Sequence, residues 1–306
     1  VVERVYKGNG TYLSVVANPG KRQSRAPIKG VAAVVIVVVG TGCMTPSPAP
    51  TPTLEPFQNS SQVFYSNTVG DYYTIYVDLP GNYDPDGPQY PVIFLLDADW
   101  YFDGSHKRID NGGVKGIVHR LCEKKEMPEV ILVGIGYPGE IQRGRDFLVS
   151  FVHFYALLKD ELLPFIDSTY NTASEGRTLI GHSDGGFFTL YALFRYDPSD
   201  TVFTNFISIS GDFSKVDRYL FTEEISLYNR LGSVLPVTLY LAVGSEEEER
   251  FIASHAEMTE NLKGRDYTGF VFKSKKYYGL HHGSVVSPAI EDGLKWIFLN
   301  AGNGET

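Results

Sequence analysis

The sequence predicts an α/β fold, a mostly parallel central sheet with helices on both faces. Three observations carry that prediction. From about residue 62 onward, strand-like segments alternate with helix-like ones. Two of the strand-like runs, "PVIFLLD" and "VILVGIG", are apolar almost without a break, as strands covered on both faces are. Ahead of them, "DYYTIYVDL" (71–79) alternates and is rich in aromatic and β-branched residues, which reads as an antiparallel strand opening the sheet.

The elements follow in order. "GNYDPDGPQ" (81–89) is turn chemistry, and "YPVIFLLDAD" (90–99) is a buried strand ending in carboxylates. "VKGIVHRLCEKK" (114–125) has helical spacing, with Cys122 as a half-buried thiol, and "EVILVGIGY" (129–137) is a second buried strand. One long amphipathic helix is predicted over 150–170, with His153 on it as a packing residue. A strand over 177–182 meets a helix over 185–196, then a strand over 204–210 meets a helix over 217–231. "PVTLYLAVG" (236–244) is a strand, and the helix over 246–264 opens with an acidic turn that suits its dipole. A strand over 267–278 and a helix over 287–300 close the domain.

Composition agrees with one sizeable core: 306 residues, 43% hydrophobic and 21% charged. A net charge of −9 without a basic block argues against nucleic acid as a partner. None of the seven histidines joins a Cys/His cluster of zinc spacing, so no metal and no other cofactor is expected. The two cysteines, Cys43 and Cys122, make no disulfide framework.

The first 61 residues read differently. Residues 1–28 show no periodicity and are expected to be a long leading region or sequence upstream of one. "KGVAAVVIVVVGTGC" (29–43) follows basic residues and has an apolar core of about a dozen residues, short of the roughly 20 that span a bilayer. Residues 1–43 are therefore expected to contain an export signal. Cys43 after "GTG" resembles a lipobox, although Gly40 stands where an aliphatic is usual. A lipid on Cys43 would attach the protein to a membrane, and the expected location is the bacterial cell envelope. Residues 44–61, rich in Pro, Thr and Ser, read as a tether, and residues 62–306 as the folded domain.

The chemistry centres on "TLIGHSDGGFF" (178–188). Gly181-His182-Ser183-Asp184-Gly185 is a full G-x-S-x-G between a strand and a helix. A serine on that sharp turn is pushed out at the top of the sheet, and small flanking residues let the backbone pass close. A hydroxyl needs a base, and "YYGLHHGSVV" (277–286) offers His281 and His282 in the loop before the last helix, with His282 preferred. A carboxylate should orient that imidazole. "VGSEEEERF" (243–251) supplies it in the chain order Ser, acid, His, the α/β-hydrolase order; Glu247 is the first choice among the four glutamates and Asp212 the alternative. The oxyanion hole is expected from backbone N–H groups, that of Asp184 and one near Ala98 or Asp99. Trp100, Tyr101, Tyr137 and Phe187 are candidate pocket aromatics suited to an aryl ester, with core packing as the competing reading for each.

Together "YPVIFLLDADWYF", "PEVILVGIGYP", "RGRDF", "DELLPFIDSTY", "RTLIGHSDGGFFTLYALF" and "HHGSVVSPAIEDGL" resemble the esterase D-like branch of the α/β-hydrolases, which includes the enterochelin (enterobactin) esterases. The resemblance covers about residues 62–300. It implies metal-free hydrolysis of a carboxylic ester, with Ser183 as nucleophile and His282, before Gly-Ser-Val, as base. The branch's Gly-x-x-Glu falls on Gly244 and Glu247. Three departures stand out. The first oxyanion loop is Asp97-Ala98-Asp99-Trp100, the loop after "RGRDF" is short, which should leave the site open, and "SISGDF" replaces Ser-Pro-Ser. The expected substrate is a small molecule or glycan ester: a siderophore ester, or an aryl or acetyl ester of a carbohydrate. A non-catalytic binding lipoprotein on the same scaffold, and an acyltransferase using the same Ser–His pair, are the competing functions.

Overall fold

The computed structural model describes residues 3–7, 11–15, 60–105, 109 and 112–301. The export signal, Cys43 and nearly all of the predicted tether lie outside the described residues. The chain divides into two units, Val1–Pro52 and Thr53–Thr306. In the first, β1 (Glu3–Lys7) and β2 (Thr11–Val15) pair antiparallel, with Glu3 opposite Val15 and Lys7 opposite Thr11.

The second unit is built on an eight-stranded sheet in the order β10-β9-β8-β7-β5-β6-β4-β3. β3 (Ser60–Ser66) and β4 (Asp71–Asp78) form an antiparallel hairpin, and β4 joins β6 antiparallel. The others run parallel: β5 (Val92–Leu95), β6 (Ile131–Gly136), β7 (Thr178–His182), β8 (Asn205–Ile209), β9 (Thr238–Gly244) and β10 (Val271–Tyr277). This is the α/β-hydrolase arrangement that the sequence predicts.

Both faces of the sheet are covered, which explains the unbroken apolar runs. Along β5, Ile93 and Leu95 point to one face and Val92 and Phe94 to the other. The first face packs on α2 (Gly113–Glu123) and α8 (Val286–Ala301), and carries the short α1 (Ala98–Tyr101). The second packs on α3 (Phe151–Ala156), α4 (Leu163–Thr169), α5 (Asp184–Phe194), α6 (Lys215–Leu231) and α7 (Glu249–Lys263). The single helix predicted over 150–170 is interrupted. π-helical turns span Arg145–Val149 and Leu157–Leu162, the second directly before α4 with Pro164 in its first turn. Proline has no N–H to donate, and a widened turn accommodates it. His153 is exposed on α3. Cys122 is half-buried on α2, donating to the Pro128 carbonyl at 3.2 Å; burial pushes its thiol up to about 11.

Candidate active site

All parts of the site hang from the C-terminal ends of neighbouring parallel strands. Ser183 links β7 to α5 with φ 60° and ψ −119°, a conformation costly for a residue with a side chain. The surroundings hold it there: its N–H donates to the Ile209 carbonyl at 2.9 Å, and its carbonyl accepts from the Phe187 N–H at 3.0 Å. Gly181 explains the motif's spacing. A Cβ there would lie 2.2 Å from the Gly185 carbonyl oxygen, so strand and helix can cross only at glycine. Asp97 and Ser210 also have positive φ, 54° and 50°. With Ser183 they follow β5, β7 and β8, three adjacent strands, so three left-handed residues stand side by side at the C-terminal end of the sheet.

The second group comes from the turns after β9 and β10. Glu247 lies in the turn before α7, not in the helix itself, and its carboxylate is fully buried. Its Oε2 accepts from His282 Nδ1 at 2.6 Å; its Oε1 accepts from the Ser210 hydroxyl and the Gly244 N–H, each at 2.6 Å. Burial pushes the carboxyl up, but the hydrogen bonds from His282, Ser210 and Gly244 outweigh it and hold Glu247 below the usual carboxylate range. The His282 ring sits between those of His182, 4.4 Å away, and Phe251, 4.5 Å away. His182 also fixes the His282 backbone: its Nε2 donates to the His282 carbonyl at 2.8 Å, and its Nδ1 accepts from the Tyr101 hydroxyl at 2.9 Å.

Ser183, Glu247 and His282 line one cavity of about 330 Å³. With Nδ1 turned to the carboxylate, His282 has Nε2 as the nitrogen left to take a proton. Among the described residues, none accepts a hydrogen bond from the Ser183 hydroxyl; such bonds often tighten only with substrate in place. Lys215, Arg250 and Phe251 stand on the cavity wall as well.

Two helix starts supply backbone donors. Asp184 opens α5 and Ala98 opens α1, and first-turn N–H groups have no acceptor within their own helix. Asp99 belongs to the same first turn, but its carboxylate faces the end of β6, accepting from the Tyr76 hydroxyl at 2.8 Å and the Tyr137 N–H at 2.7 Å.

The predicted pocket aromatics are placed elsewhere. Phe187 is fully buried in the core against Phe151. Tyr101 is buried beneath His182, and Tyr137 is buried with its hydroxyl on Asp146 at 3.0 Å. Trp100 packs under the Arg143 guanidinium, 5.2 Å from its ring centre. None of the four lines the Ser183 cavity; the aromatic on its wall is Phe251. The reason is that α1 turns Trp100 and Tyr101 into one core, while α5 and the end of β6 turn Phe187 and Tyr137 into the other. Asp212, the alternative acid, accepts from the Ser214 N–H and hydroxyl instead, and His281 is exposed at the rim.

Several site residues were not singled out from the sequence: Ser210, His182, Arg143, Lys215, Arg250 and Phe251. A signal existed for some. Ser210 stands in the departing "SISGDF", His182 is the variable position of the motif, and Arg143 opens "RGRDF".

Comparison with known proteins places the chain in a family. The ferri-bacillibactin esterase BesA of Bacillus subtilis is 25% identical over 256 residues, covering 73% of this chain and 84% of BesA. YbbA of the same organism, an uncharacterized protein, is 22% identical over 74% of this chain and 92% of its own length. The crystal structure of the BES protein from Bacillus cereus superposes with a TM-score of 0.67 at 27% identity, covering 78% of this chain and 94% of that one. Residues 66–296 match the family described as "Putative esterase". The chain belongs to that family, and is a carboxylic-ester hydrolase of the enterochelin esterase-like kind.

Proposed function

We propose that the protein is a serine esterase working through an acyl-enzyme, with Ser183 as nucleophile, His282 as general base and acid, and Glu247 as the orienting carboxylate. The observation that carries the reading is the strained serine at one cavity with an imidazole whose Nδ1 is bound, at 2.6 Å, to a buried carboxylate. Ser183 Oγ attacks the ester carbon, its proton passes to His282 Nε2, and the carbonyl oxygen becomes an oxyanion. The N–H groups of Asp184 and of Ala98 or Asp99 bind that oxyanion; one such donor lowers a barrier by about 3–4 kcal/mol. Collapse breaks the bond to the alcohol oxygen, which takes the proton from His282. Water then attacks the acyl-enzyme, its proton moving through the same imidazole, and releases the acid and free Ser183.

The substrate we favour is a siderophore ester. Support comes from BesA, named as a ferri-bacillibactin esterase, and from a cavity wall of mixed charge, with Asp184, Glu246, Glu248, Lys215 and Arg250 on it. An open, charged wall suits a large polar ester better than a slot for a small aryl group. Ser183→Ala tests the chemistry: hydrolysis of p-nitrophenyl acetate should fall to background with the circular dichroism spectrum unchanged. Turnover at the wild-type rate in a folded Ser183→Ala protein would refute the assignment.

A further inference from the structure

The motif "RGRDF" has no part in the triad, yet its first arginine makes the densest set of contacts near Ser183. Arg143 is largely buried. Its Nε donates to Asp97 Oδ1 at 2.9 Å and its Nη2 to Asp97 Oδ2 at 3.1 Å, a two-pronged grip on one carboxylate. Its Nη1 donates to Asp184 Oδ2 at 2.8 Å, and Nη2 reaches the His182 carbonyl at 3.3 Å. The guanidinium plane lies between the rings of Trp100, 5.2 Å away, and Phe147, 5.6 Å away.

What it joins is the point. Asp97 immediately precedes Ala98, and holds φ 54° without being glycine. Asp184 immediately follows Ser183 and opens α5. Each of the two loops that bear an oxyanion donor thus ends in a carboxylate, and one guanidinium holds both. Lys215 Nζ binds the other oxygen of Asp184 at 2.5 Å, so two cations face two anions across the cluster. Balanced in charge, it supplies geometry rather than a net field. A lysine ammonium could pair with one carboxylate but could not present the fixed fork that spans both.

We propose that Arg143 is a positioning residue that sets the spacing of the two oxyanion donors by tying the loop at Asp97 to the turn at Asp184. The inference rests on the serine-esterase reading. A misplaced donor weakens binding of the transition state and leaves ground-state binding nearly intact. Arg143→Lys should therefore lower kcat about 100-fold, the lower end of the loss for one donor, while KM changes less than about threefold. Arg143→Ala should behave alike, and added guanidinium should restore at least about tenfold of its kcat by refilling the fork; a purely structural defect would not respond. Should Arg143→Ala fail to fold, the lysine variant carries the test through its split between kcat and KM. An Arg143→Lys enzyme with wild-type kcat, or one whose loss lies wholly in KM, overturns the clamp. A fluorophosphonate separates the two levels. If wild-type Ser183 takes no label, the serine-esterase reading falls; if it labels normally and Arg143→Lys is as fast as wild type, only the clamp falls.

Discussion

Glu247→Gln swaps one oxygen for an NH2 group at a site where each oxygen has a fixed duty. Oε1 accepts from the Gly244 N–H and the Ser210 hydroxyl, and Oε2 accepts from His282 Nδ1. The backbone N–H of Gly244 can only donate, so the amide oxygen of glutamine must stay at the Oε1 position. The new NH2 then faces His282 Nδ1, two donors end up opposed in a buried pocket, and the ring relieves this by moving its proton to Nε2. That is the tautomer that cannot accept a proton from Ser183. The fold should survive, because volume and two of the three hydrogen bonds are kept. The rate should not: the wrong tautomer costs a factor of about 10⁴ in kcat, or roughly 5 kcal/mol of barrier. The assay is steady-state hydrolysis of p-nitrophenyl acetate at pH 8, paired with a melting curve. A Glu247→Gln enzyme within tenfold of wild type, at unchanged stability, would refute the tautomer argument and demote Glu247 to a structural group.

Two further outcomes follow from single side chains. His255, buried on α7, is pushed down to about 4 by desolvation from its ordinary 6.5, so the native state keeps it neutral where the unfolded chain protonates it. Its contribution is therefore intact above pH 6.5 and is lost as pH falls towards 4, by about 3 kcal/mol in full. Urea unfolding at pH 7.5 and 4.5 should show wild type losing about 2 kcal/mol more than His255→Gln on acidification; parallel losses would count against it. Gly181→Ala drives a Cβ to 2.2 Å from the Gly185 carbonyl and should destabilise by about 1–3 kcal/mol while displacing Ser183; a variant that melts and labels with fluorophosphonate as wild type does would contradict the crossing.

Much of this was legible in the sequence, for identifiable reasons. Buried parallel strands such as β6 advertise themselves because both faces need apolar residues. The sharp turn at Ser183 is legible because it demands Gly181. What stayed hidden shares a different cause. β3 is an edge strand whose outward face carries Val63 and Tyr65, both exposed, so no polar alternation marks it. The π turns at 145–149 and 157–162 keep the apolar spacing of a helix while shifting its register. The aromatics near the site could not be sorted between wall and core, since Phe187 and Phe251 differ in what packs over them and not in type. Arg143 and Ser210 act through contacts far along the chain, to Asp97 and Glu247, and pairings at that separation leave no local mark.

The site draws its parts from the tips of separate strands: β5 gives the loop with Ala98, β7 the serine, β9 the glutamate and β10 the histidine. The rigid platform beneath fixes the reacting atoms, and the crests above it are cross-tied, Arg143 joining Asp97 to Asp184 and Glu247 joining Ser210 to His282. The segment between β6 and Arg143 carries no member of the triad, so a longer insertion there could roof the cavity and change which esters enter. A descendant that keeps Arg143 in place would inherit the chemistry, with selectivity rewritten at the rim alone.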